Sequence, residues 1–185
     1  LEIDSPARLP GPQRIAEIHE PWLDLSVVTP DGYIGGIMEL INGRRGEYKR
    51  MEYLQSRGRE SNSGAASAAR VLLEYAVPLS EVLVDFYDQL KAKTQGYASM
   101  DYSLAGYRPG DLVRLDVLVN EEPVDALSVI IHRDRAQSQG RDLVSRLQTL
   151  IPRQLFEVPI QASIGSRVIA RETVRALRKN VLAKC

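Results

Sequence analysis

Trp22-Leu23-Asp24-Leu25-Ser26-Val27-Val28-Thr29-Pro30-Asp31, followed by Gly32-Tyr33-Ile34-Gly35-Gly36-Ile37-Met38-Glu39-Leu40-Ile41-Asn42-Gly43, decides the reading of the fold. Its first seven residues are rich in aromatic and β-branched side chains and read as a strand. Thr29-Pro30-Asp31 reads as a helix N-cap with Pro at the first helical position. Ile34, Ile37, Met38 and Ile41 then recur at helical spacing, and Asn42-Gly43 stops the helix. Outward from there, Gly46 to Leu54 and Arg70 to Val77 read as strands. Leu79 to Thr94 reads as a second helix burying Val82, Leu83, Phe86 and Leu90, capped by Gly96, and Tyr97 to Leu104 as a further strand. The order βαββαβ within about 90 residues is that of a ferredoxin-like domain, an antiparallel four-stranded sheet with both helices on one face. Residues 55–69, small and of low complexity, read as a flexible loop between strands.

After Tyr107-Arg108-Pro109-Gly110 a second small α+β unit is expected. Two strands, Asp111 to Val119 and Val124 to His132, are joined across Asn120-Glu121-Glu122-Pro123. A helix over Arg133 to Leu150 follows, and then a strand over Leu155 to Ser163, which Pro159 assigns to a sheet edge or a bulge. A closing helix is read from Arg167 or Glu172 to Asn180. The division is therefore a Pro-rich leader over 1–19, a ferredoxin-like domain over 20–107 and a second domain over 108–185. The leader starts without Met and reads as a linker from a preceding domain of a longer protein.

The composition, 44% hydrophobic and 26% charged over 185 residues, is that of a globular protein. No signal peptide is visible, and no apolar run approaches the roughly 20 residues a bilayer requires. The lone cysteine, Cys185, permits no intrachain disulfide. Net charge is zero but unevenly spread. Residues 1–132 carry 13 Lys and Arg against 20 Asp and Glu, whereas residues 133–185 carry 11 against 4. An acidic body with a basic end suits one face that meets a polyanion, although a solvated basic surface has the same composition.

Catalytic patterns are missing from the sequence. His19 and His132 are its only histidines, and no His/Cys cluster has metal-ligand spacing. There is no Gly-x-Ser-x-Gly elbow and no phosphate-binding Gly-x-x-x-x-Gly-Lys-Ser/Thr loop. Gly32, Gly35 and Gly36 lack the G-x-G-x-x-G order and are read as packing positions. Glu121-Glu122 sits in a turn, as solvated charge. His132, between a strand and Arg133-Asp134-Arg135, is the one candidate acid or base, and a structural or RNA-contacting role suits it better. On the expected closing helix, with about 100° per residue, Arg167, Arg171, Arg175, Arg178 and Lys179 fall within an arc of roughly 120°. Arg binds phosphate through two parallel hydrogen bonds and stacks on bases, so such a ladder suits a sugar–phosphate backbone. Arg133, Arg135, Arg141, Arg146 and Arg153 form a second basic group, and Arg44, Arg45, Lys91 and Lys93 are candidates in the first domain. This pattern fits backbone and shape recognition of folded RNA. A ferredoxin-like domain serving as a regulatory protein-binding module is the alternative.

Several motifs resemble the last domain of elongation factor G and its relatives: Glu20-Pro21-Trp22-Leu23, Val28-Thr29-Pro30-Asp31-Gly32-Tyr33-Ile34-Gly35, Arg44-Arg45-Gly46, Met51-Glu52, Val77-Pro78-Leu79-Ser80-Glu81 and Thr94-Gln95-Gly96-Tyr97-Ala98-Ser99. The second half resembles the LepA family. The matching runs are Pro123-Val124-Asp125-Ala126-Leu127-Ser128, His132-Arg133-Asp134-Arg135-Ala136, Ile151-Pro152-Arg153, Ile160-Gln161-Ala162-Ser163-Ile164-Gly165, Ile169-Ala170-Arg171-Glu172-Thr173 and the run from Leu177 to Cys185. The resemblance implies the C-terminal region of a ribosome-dependent GTPase, the back-translocating elongation factor, with no catalysis by this stretch. GTP and Mg would be bound by a domain preceding it. The implied partners are the ribosome, through large-subunit RNA and the GTPase-associated region, and tRNA. The protein is expected to be monomeric and cytoplasmic, with peripheral association with the inner membrane. Residues 55–69 stand where relatives have a tight connection, and the family's basic tail is expected beyond Cys185.

Overall fold

The computed structural model describes residues 1–54 and 69–177, which fall into two compact units. One gathers His19–Pro109. The other gathers Leu1–Ile18 with the residues from Gly110 on. The Pro-rich leader thus groups with the second unit, where Gly110 N–H donates to Ile18 O at 2.9 Å.

The first unit runs β1 (His19–Pro30), α1 (Ile34–Asn42), β2 (Glu47–Leu54), β3 (Arg70–Pro78), α2 (Leu79–Val82), α3 (Phe86–Lys93) and β4 (Ser99–Pro109). Its strands lie in the order β2-β3-β1-β4, all antiparallel, which is the ferredoxin-like arrangement. Strand alternation puts Leu23, Leu25 and Val27 on the same face as Val71, Leu73, Tyr75 and Val77. Ile37 and Ile41 from α1 and Phe86 and Leu90 from α3 close the core over that face. Each fully buried side chain of this size contributes about 1.5–3 kcal/mol.

Three local expectations fail here. Thr29 does not cap a helix: it is buried within β1 opposite Val71, its hydroxyl donating to Pro30 O at 3.2 Å, and a 3-10 turn over Asp31–Tyr33 leads into α1. Gly32, Gly35 and Gly36 make no close approach, since a Cβ at any of them would meet open space. The close glycine is Gly46, where a Cβ would lie 2.7 Å from Ile41 O. Finally, the expected helix over 79–94 is broken into α2 and α3, and Leu83 is exposed. Asp85 takes the left-handed conformation at φ 52°, which ends the helical run. The Arg44 guanidinium stabilises the break, donating to Glu81 O at 3.1 Å, Val84 O at 3.3 Å and Asp85 Oδ1 at 2.6 Å.

The second unit contains β5 (Leu112–Val119), β6 (Glu122–Pro123), β7 (Val129–His132), α4 (Arg133–Leu150), β8 (Val158–Ile164) and β9 (Arg167–Val174). Its sheet runs β6-β5-β8-β9, with β7 also paired to β5, so this unit too is α+β with an antiparallel sheet. Leu115, Val117, Val144, Val158, Ile160, Ala162, Ala170 and Val174 form its core. Helix α4 lies against β8 and β9, and Gly140 permits the approach: a Cβ there would stand 3.0 Å from Ile169 Cδ1. Pro159 is not at a sheet edge, because β8 lies between β5 and β9. It sits second in the strand, beyond the last β5 partner, Val119↔Ile160, so its missing N–H costs no ladder bond. Its carbonyl accepts instead from Asn120 N–H at 2.8 Å. No helix among the described residues is long and apolar enough to cross a membrane.

Candidate nucleic-acid interface

The closing helix expected from Arg167 to Asn180 is, over its described part, the strand β9. Gly165-Ser166 makes a two-residue hairpin joining Ile164 to Arg167, with Gly165 at φ +59°. Val168, Ile169, Thr173 and Val174 favour a strand once β8 offers a ladder to pair with. The arginine ladder is therefore rebuilt with a period of two, not 3.6. Ala170 and Val174 turn into the core, while Arg171, opposite Gln161, is exposed on the other face. Arg167 is exposed at the hairpin end, and Arg175 is exposed just past the strand. Two other ladder members, Arg178 and Lys179, lie outside the described residues, as do residues 55–68 of the expected loop.

The cations expected from sequence separate by their partners. Arg45 bonds Glu20 twice, the longer contact at 3.3 Å, and lies 3.8 Å from Glu81. Its side chain is 19% exposed and the two carboxylates 6% and 8%. With Arg44 latched onto the α2–α3 break, both arginines are structural ties. Lys91 donates to Ala98 O at 2.5 Å and lies 5.5 Å from the Tyr87 ring centroid, and Lys93 pairs with Glu39 at 3.2 Å. Arg133 grips Asp111 at 2.9 Å, and its backbone N–H donates to Asp111 O. His132 is the N-cap of α4: its Nδ1 accepts from Asp134 N–H at 3.3 Å. A ring nitrogen occupied in this way satisfies a helix end. Arg135 has a partner of its own as well.

Arg153, Arg167, Arg171 and Arg175 differ: among the described residues none of them forms an ion pair or side-chain hydrogen bond. Two of the four line one cavity. The last turn of α4, the chain leaving it and the end of β9 border an open cavity of about 610 Å³ lined by Gln148, Thr149, Ile151, Pro152, Arg153, Thr173, Val174 and Arg175. The wall is braced by Gln148 Nε2 donating to Thr173 O at 2.8 Å and by Leu177 N–H donating to Gln154 O at 2.8 Å. An α-helix C-terminus carries roughly half a negative charge. Arg153 and Arg175 in the lining set two positive charges against it. Sequence reading found both arginines but not the cavity they line. The hairpin signal Gly165-Ser166 between two β-branched runs could have exposed the strand.

The elongation factor G C-terminus family model matches residues 17–118, and the GTP-binding protein LepA C-terminus model matches residues 119–185. The chain is 49% identical over 185 residues to elongation factor 4 of Geobacillus thermodenitrificans (strain NG80-2), covering 100% of this chain and 28% of that protein. It is 50% identical over 183 residues to elongation factor 4 of Bacillus cereus (strain B4264), covering 99% and 28%. For elongation factor 4 of Halalkalibacterium halodurans the identity is 50% over 184 residues, covering 100% and 28%. The chain thus spans 28% of the length of these curated relatives, and the matching models describe C-terminal regions.

Proposed function

The chain belongs to the LepA (elongation factor 4) family of translation factors, and from that premise we propose that it holds ribosomal RNA and tRNA by their sugar–phosphate backbones. The observation that carries this reading is the set of exposed arginines on and beside β9, Arg167, Arg171 and Arg175, with Arg153 close by in the cavity wall. None is neutralised by a carboxylate, so each offers its full charge and hydrogen-bonding fork to phosphate. The first unit has its candidate cations tied into its own structure. We therefore assign it shape-based contact with the GTPase-associated region of large-subunit RNA, and the second unit contact with tRNA. The whole protein, in this reading, is a monomeric GTPase acting on back-translocation. It binds GTP and Mg through a domain outside this chain and associates peripherally with the inner membrane.

The test is binding of the 185-residue chain to ribosomes and to free tRNA across a salt series. Affinity should fall linearly on a log–log plot, with a slope close to −0.9 per neutralised phosphate for duplex. Arg167→Glu/Arg171→Glu/Arg175→Glu should weaken binding and flatten the slope by about two to three contacts. Unchanged affinity and slope in a folded triple variant would show that β9 is a solvated surface.

A further inference from the structure

Resting on that RNA-binding reading and narrowing it, we propose that the cavity at the C-terminal end of α4 is a pocket for one unstacked, single-stranded RNA nucleotide. Its volume of about 610 Å³ lies within the range of small-ligand pockets and cannot admit an A-form duplex. Its chemistry is divided as a nucleotide is divided. Arg153 and Arg175 supply two cations that no carboxylate occupies, which suits a phosphate. Ile151, Pro152 and Val174 supply an apolar wall against which a base can lie.

The polar groups of the wall are arranged to receive a ligand of this kind. The Gln148 amide N–H is committed to Thr173 O, which leaves its carbonyl oxygen as an acceptor at the rim. The Thr149 hydroxyl donates to Arg146 O at 2.7 Å, which leaves its oxygen lone pairs available. Acceptors such as these suit a ribose hydroxyl or a base N–H, and the guanidinium groups suit the phosphate. A double-stranded backbone could touch Arg171 and Arg167 on the exposed strand but could not place a nucleotide within the walls. Strand β9 and the cavity are thereby assigned different RNA states.

The experiment compares a single-stranded RNA hexamer with a blunt RNA duplex, each titrated into the 185-residue chain. Thr149→Trp is the decisive variant: Thr149 is exposed on α4, so the fold tolerates the change, and the indole occludes the cavity without altering charge. It should weaken hexamer binding about tenfold and leave duplex binding within about twofold. Arg153→Gln should do the same, whereas Arg171→Glu should weaken the duplex more than the hexamer. Hexamer binding that ignores both Thr149→Trp and Arg153→Gln, while Arg171→Glu still weakens the duplex, overturns the pocket and leaves the RNA-binding reading standing. If neither RNA binds the wild-type chain, both fall together.

Discussion

Replacing Arg45 with Met should unfold the first unit more readily and leave RNA binding untouched. Arg45 is flanked by Glu20 and Glu81, whose side chains are 6% and 8% exposed, and it holds Glu20 by two hydrogen bonds while lying 3.8 Å from Glu81. Removing the guanidinium takes both hydrogen bonds from the buried Glu20 carboxylate. Breaking a buried pair by deleting one partner costs about 3–5 kcal/mol. Arg45 keeps a 19% exposed edge, and water reaching through it relieves part of the penalty. A cost just below that range, about 2–3 kcal/mol, is therefore expected. Urea unfolding followed by circular dichroism would read this as a lower midpoint at unchanged slope. The double variant Arg45→Met/Glu20→Gln removes one stranded charge, so it should recover about 1 kcal/mol or more relative to Arg45→Met. The reasoning fails if Arg45→Met costs less than about 0.5 kcal/mol, within the range of an ordinary surface change. It fails equally if the variant stays stable but binds ribosomes more weakly, since Arg45 would then be a contact residue.

Three further perturbations follow from local geometry. Gly140→Leu would drive a side chain into Ile169, 3.0 Å from a Cβ at that position, and should cost about 1–3 kcal/mol by overpacking α4 against β9, read by thermal melting. Glu121 occupies the left-handed region at φ 67° in the turn after β5. Glu121→Gly should therefore raise stability by up to about 1 kcal/mol in the same melt, and a loss would show that the side chain has a role there. The Arg50 hydrogen bond holds the Glu74 carboxyl below the usual carboxylate range, so its contribution to stability is present above that range and is lost as pH falls through the depressed value. Glu74→Gln should remove that portion of the acid dependence, on the acid side of the usual carboxylate range, in urea midpoints, and an identical pH profile in the variant would refute the linkage.

Sequence alone carried the ferredoxin-like order, because strands β1 and β3 and helix α1 each combine the right periodicity with the right punctuation. Helix α4 was equally legible from Arg133 to Leu150, where Ile151-Pro152 ends it. The continuous helix over 79–94 was misread, because the break depends on Arg44, about 40 residues away, bonding three groups that no local pattern connects. The candidate RNA-contact residues divide in the same way. Composition shows which arginines exist, but only the fold shows that Arg44 and Arg45 are spent on carbonyls and carboxylates while Arg153 and Arg175 are not.

The run from Arg167 to Val174 shows the limit most clearly. Its arginines Arg167 and Arg171 and its core pair Ala170 and Val174 each recur four residues apart, a spacing that a helix and a strand both place on one face, and the sequence reads as a helix. Pairing with β8 decided between them, since a backbone ladder and the burial of Ala170 and Val174 reward the strand over a lone helix. The family and the basic character of this end were set by the residues themselves. The face on which the charge stands, and the cavity that two of the arginines line, were decided by tertiary pairing, because strand register is a property of two segments and not of one.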